Sequence, residues 1–256
     1  MPEHKENQPR SGSRRNFLKV SGAALGGVVV GGVVGAVLNN SLTKPKEQPP
    51  AATPEEQPPA ADFNQALMYF NQEQFRITEA AVERIFPKDE LGPGAIELGA
   101  AYYIDHQLAN QWGINARDYM MGPFFKGEMT QGEYPSIKRH ELFSMGLDAL
   151  KGFSMKKYNK PFTELADNEK DEVLKSFEAG KDVILSNGDT TASFFKMLRS
   201  LTLEGAYSDP LYGGNKNMLG WKMRNYPGNQ MSYLNIIDKP DFVKIEPKSL
   251  HEHMTH

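Results

Sequence analysis

The chain has 256 residues, 39% of them hydrophobic, a formal net charge of -3 and no cysteine. That charge offers no basic face for phosphates, which sets nucleic acid aside as a partner. The missing cysteine excludes disulfides, thiolate metal sites, iron–sulfur clusters, a cysteine nucleophile and a lipoprotein anchor.

In chain order, a polar start leads to Ser13-Arg14-Arg15-Asn16-Phe17-Leu18-Lys19 and then to an apolar stretch from Val20 to Leu38 rich in Gly, Val and Ala. This is the layout of a charged n-region followed by an h-region. Arg14 and Arg15, followed by Phe17 and Leu18, resemble the twin-arginine signal, whose translocase carries folded cargo. The resemblance implies export to the outer face of the cytoplasmic membrane or into the periplasmic or cell-wall space. The apolar stretch is also about long enough to cross a bilayer core, and no clean small-x-small site follows it, so a cleaved signal and an uncleaved membrane anchor both stay open.

From Lys44 to Ala61 the chain is rich in proline and has no large apolar side chain. Proline favours extended polyproline conformations, which makes this a semi-rigid tether. The expected organisation is therefore a signal or anchor over 1–43, a linker over 44–61, a folded body over 62–235 and a C-terminal tail over 236–256.

Within the body, Phe75, Ala80, Val82, Ile85 and Phe86 recur at helical spacing, as do Ile96, Ala100, Tyr103, Ile104 and Leu108. Pro87 and Gly92-Pro93-Gly94 separate the two segments. A third helix is expected from Ser136 through Phe153. A fourth opens with Asp167 or Asn168 as N-cap and carries Val173, Leu174 and Phe177 before Gly180. A fifth begins near Asp189-Thr190-Thr191 and ends at Gly205. No run of alternating β-branched residues competes, so the body reads as an all-α, irregular helical bundle with long glycine- and aromatic-rich loops. Those loops, from Trp112 to Tyr134 and after Gly205, are of a kind that binds something.

Several groups invite a chemical reading. Glu204 and Asp209 are a carboxylate pair, but a helix end and an Asp-Pro turn account for them. Asp105 and His106 form a nominal dyad, yet helix neighbours point to different faces, which suits a surface or interface pair. His251, His253 and His256 have metal-catching spacing on what reads as a mobile tail. Phe124, Phe125, Phe194 and Phe195 suit core packing better than a ligand pocket. No inward Glu-x-x-His pairs, dinucleotide or phosphate loop, or nucleophile elbow occurs. No catalytic, cofactor-binding or metal residue is expected on this chain.

The densest signal runs from Thr202 to Asn215 and on through Gly220-Trp221-Lys222 to Tyr226-Pro227-Gly228. With Tyr103-Ile104-Asp105-His106-Gln107-Leu108, Met121-Gly122-Pro123-Phe124, Lys160-Pro161-Phe162-Thr163-Glu164-Leu165 and Phe194-Phe195-Lys196-Met197-Leu198-Arg199, it resembles the gluconate 2-dehydrogenase subunit 3 family. The resemblance spans about Ala66 to Gly228, departs at His106, where the family commonly has arginine, and does not extend to the C-terminal residues. It implies an accessory small subunit that supports the folding, stability and twin-arginine export of a glucose-methanol-choline type large subunit. That partner would hold FAD and oxidise a sugar or sugar acid, with a cytochrome c subunit or the quinone pool taking the electrons. Asp209, Tyr212, Gly213, Gly214, Asn215, Trp221 and Tyr226 are then the expected partner interface. The alternative is a stand-alone, membrane-tethered envelope scaffold with no flavoprotein partner.

Overall fold

A computed structural model describes residues 65–254 apart from 126, 127, 129, 131–135 and 242. The export signal (Arg14, Arg15, Phe17, Leu18) and the proline-rich linker lie outside the described residues. Helix α1 (Gln72–Ile85) opens on a reciprocal cap: Gln74 N donates to Asn71 Oδ1 at 2.9 Å and Asn71 N to Gln74 Oε1 at 3.1 Å. It buries Phe75, Ile77, Thr78, Ala81 and Val82, and Pro87 stops it. Helix α2 (Ala100–Ala109) follows Gly99, whose φ of 71° a side chain would resist. Ile96, expected on the inner face, is 49% exposed because it precedes the helix, where its amide is held by Glu83 Oε2 at 2.9 Å.

Helix α3 (Arg139–Tyr158) starts later than the spacing predicts, after Lys138, whose N–H donates to Glu141 Oε2 at 3.0 Å. Helix α4 (Asp167–Ala179) differs at its cap. Ala166 holds that position, with its N–H donating to Glu169 Oε2 at 2.8 Å, which frees Asp167 to pair with Arg84 at 2.8 Å. Gly180, at φ 63°, ends it.

Helix α5 (Thr191–Tyr207) runs through Gly205 instead of stopping there. The glycine serves packing. A Cβ at 205 would stand 3.0 Å from Ala100 Cα and 3.1 Å from Tyr103 Cβ, so its absence lets α5 lie close on α2. Helix α5 also packs against α1, α3 and α4, which makes it the central element of the bundle. Phe194 on α5 meets Phe143 of α3 edge to face at 5.2 Å and Phe177 of α4 at 6.2 Å. Across from it, a Cβ on Gly146 would overlap the Phe194 ring.

Two short helices follow, α6 (Leu219–Met223) and α7 (Leu250–Met254). Among the described residues there is no β-strand, only isolated bridges, and no helix is long and apolar enough to cross a membrane. The all-α expectation holds.

Candidate functional site

At the exit of α5 the backbone turns back on itself through residues in the left-handed region: Gly213, Asn215, Asn217 and Met218 have φ of 94°, 45°, 55° and 57°. Asn215 fixes this turn. It is fully buried; its N–H donates to Gly205 O at 2.7 Å, its Nδ2 to Ser208 O at 2.8 Å, and its Oδ1 accepts from Gly220 N at 2.8 Å. One side chain thus joins the end of α5 to the start of α6. Lys216 N adds a bond to Leu98 O at 3.0 Å, tying the turn to the chain entering α2. Trp221 lies beneath it, 6% exposed, and its indole N–H donates to Tyr207 O at 2.7 Å.

This placement corrects the expected interface. Gly214, Asn215 and Trp221 are buried in the chain's own fold and hold the turn together, because a fixed reversal of this kind must satisfy its backbone groups internally. Gly213 and Asp209 are half-buried. Only Tyr212 and Tyr226 of the seven stand exposed, with Tyr226 edge-on to Trp221 at 5.4 Å.

The Asp105–His106 pair holds another backbone strap. Asp105 is fully buried, not on the surface: Oδ1 accepts from Tyr69 N at 3.0 Å and Phe70 N at 2.6 Å, and Oδ2 from Met68 N at 2.5 Å. His106 Nε2–H donates to Ala66 O at 3.0 Å, and a Cβ on Gly213 would stand 2.6 Å from its Nδ1. The two residues anchor the segment entering α1, and neither is aligned on the other as acid and base.

Glu204 takes a hydrogen bond from Tyr103 Oη at 3.1 Å. Burial, reinforced by the Glu204 carboxylate, pushes the Tyr103 phenol far above its usual range and keeps it a donor. Asp209 spends both oxygens on backbone, accepting from Leu211 N at 3.0 Å and Leu250 N at 2.8 Å. The carboxylate pair is structural. Among the described residues no group of three or more His, Asp or Glu could hold a metal. His256 lies outside them, while His253 is bound to Asn229 O at 2.8 Å, so the tail is docked through Met254 and not loose.

Exposed large apolar side chains gather on two loops. Ile114, Tyr119, Met121, Phe124 and Phe125 are exposed on the loop after α2, Phe125 at 77%. Tyr226, Met231, Tyr233, Leu234 and Ile237 are exposed after α6, Leu234 at 79%. Phe124 and Phe125 are therefore not core residues, whereas Phe194 is. Tyr119, Met231, Leu234 and Ile237 are missed by residue-level reading; the signal for them is the irregular aromatic composition of the two loops.

A family model described as gluconate 2-dehydrogenase subunit 3 matches residues 72–228. The chain belongs to that family. No curated protein and no solved structure matches it. The family's name is that of one subunit of a dehydrogenase complex. Its match begins at the first residue of α1 and ends at Gly228, so it takes in the bundle, the first apolar loop and the Asn215 turn, and leaves α7 outside.

Proposed function

We propose that this chain is the accessory small subunit of a gluconate 2-dehydrogenase-like complex, exported by the twin-arginine route together with an FAD-dependent sugar or sugar-acid dehydrogenase. It supports the folding and stability of that large subunit, which carries the flavin and the oxidation. The observation that carries this reading is the concentration of exposed aromatic and aliphatic side chains on two loops of a body with subunit-family membership. Exposed aromatic and aliphatic side chains gathered on a loop are costly in water unless something covers them. Aromatic anchors such as Tyr119, Phe125 and Tyr212 supply large contact area at small entropic cost.

The test is purification of the full chain from its native envelope, followed by absorption spectroscopy and protein identification. The expected result is a co-purifying large protein that brings a flavin spectrum, with the small chain colourless once separated. A flavin or haem band on the separated chain, or purification without any flavoprotein, overturns the reading. The export half is tested separately by replacing Arg14 and Arg15 together with Lys. That variant is expected to fold and stay in the cytoplasm; normal export shows a different route.

A further inference from the structure

Beyond the family's last matched residue the chain returns to Asp209 and to the Pro227–Asn229 segment and binds them. Lys248 makes a parallel bridge with Gly228: Asn229 N donates to Lys248 O at 2.7 Å, and Lys248 N to Pro227 O at 3.3 Å. Leu250 N donates to Asp209 Oδ2 at 2.8 Å, and His253 Nε2–H donates to Asn229 O at 2.8 Å. Pro247 and Ser249 are buried on arrival. Gly228, at φ 68°, is the point of closest approach, where a Cβ would run into Lys248 O on one side and stand 2.7 Å from the Trp221 ring on the other.

Three features mark this contact as a bound peptide and not a continuation of the core. Its bonds run between tail backbone or His253 and acceptors and donors of Asp209, Pro227 and Asn229, the mode by which extended peptides dock on a backbone edge. The stretch linking it to Asn229 is largely exposed, with Met231, Leu234 and Ile237 in solvent. The contact also remains uneven: Trp221, Tyr226, Tyr233 and Leu250 share an open cleft of about 420 Å³. A segment held by hydrogen bonds along a partly open cleft opens at a lower free energy than a packed helix.

The geometry points to a peptide-docking cleft built by Asp209, Trp221, Pro227, Gly228 and Asn229, whose resident ligand is the chain's own C-terminal segment Pro247–Met254. The Asp209 carboxylate selects the ligand by receiving the amide that opens α7, the Pro227–Asn229 edge pairs with the preceding residue, and the Asn229 carbonyl receives the imidazole. The hydrogen bonds that hold the segment involve none of the exposed apolar side chains, although Tyr226 and Tyr233 of the second apolar loop line the cleft.

The test uses the otherwise full chain ended after Val243 and a dye-labelled synthetic peptide of residues 244–256, read by fluorescence anisotropy. The shortened chain is expected to keep the helical circular dichroism of the parent and to bind the peptide saturably. The intact chain, whose Asp209 and Pro227–Asn229 edge is already paired with its own segment, is expected to bind at least tenfold more weakly. Asp209→Asn in the shortened chain leaves one good acceptor for two amides and is expected to weaken the peptide about tenfold, the loss typical of a charge-assisted bond. Equal binding by intact and shortened chains, equal binding of a scrambled peptide, or no binding by a folded shortened chain overturns the proposal. So does a shortened chain that fails to fold, because the segment is then part of the core and not its ligand.

Discussion

Between Gly146 and Phe194 two helices meet through carbon alone; between Gly205 and Gly220 two helix ends meet through one asparagine. In the bundle, the ring of Phe194 fills the space that Gly146 leaves and packs on Phe143 and Phe177. At the turn, Asn215 closes three hydrogen bonds among backbone groups that no helix or strand can serve. The first contact tolerates any change that preserves volume, since dispersion and burial have no direction. The second tolerates almost none, since donors, acceptors and a left-handed φ must all be right at one residue. The apolar contact makes the body stable; the polar one decides its shape where it meets the cleft.

The largest effect expected on stability comes from the bundle. Phe194→Ala should cost about 4 kcal/mol, because the ring is fully buried among two other rings. Denaturant unfolding of the full chain reads it, and fluorescence and circular dichroism should move together if the bundle is one cooperative unit. Trp221→Ala should cost less, about 3 kcal/mol, since the indole borders an open cleft into which neighbours can relax. A larger loss at Trp221 than at Phe194 would break the division drawn between the two regions.

Asn215→Ala should cost about 2–3 kcal/mol, from a buried Gly220 N–H and Ser208 carbonyl left without their partner and from a left-handed backbone that alanine resists. Asn215→Gly separates these causes. It restores the backbone freedom but not the bonds, so it should recover only part of the loss; full recovery would make φ, not hydrogen bonding, the reason for asparagine.

Smaller still is the ion pair between α1 and α4. Arg84 donates to Asp171 at 2.7 and 3.0 Å, and that hydrogen bonding holds the Asp171 carboxyl below its ordinary value of 3.8. A carboxylate depressed in the folded state stabilises above its unfolded pKa and loses that contribution as pH falls through the folded one. Stability should therefore drop on acidification below about pH 4 by under about 1 kcal/mol, since the side chain is partly solvated. In Arg84→Met this part of the acid dependence should vanish. Unfolding curves taken across that range in both proteins check the sign. Least of all, Phe125→Ser should change stability by under about 0.5 kcal/mol, its ring being exposed, while weakening capture of the proposed large subunit.

Legibility followed the same division. Helical spacing marks the buried Phe75, Val82, Ile104, Leu108, Phe143, Phe177 and Phe194 because periodicity reports which residues share a face, and a bundle buries faces. The family resemblance is legible for a related reason, since the block from Ser208 to Gly228 needs glycine, asparagine and tryptophan at fixed places to close at all. Misread were the positions whose role depends on a distant segment. Gly205 looks like a helix stop until α2 lies against it, and Asp105 looks like surface until Met68–Phe70 offers three amides.

By itself the sequence determined the helical composition of the body, the order of its helices and the family to which it belongs, because these rest on local patterns of apolar and turn-forming residues. Only the tertiary structure decided that Trp221 is buried, that Phe125 and Leu234 are not, and that α7 docks beside Asp209. An aromatic side chain has the same composition whether it anchors a core or waits for a partner. Which it does is set by what lies across from it, and no local pattern carries that.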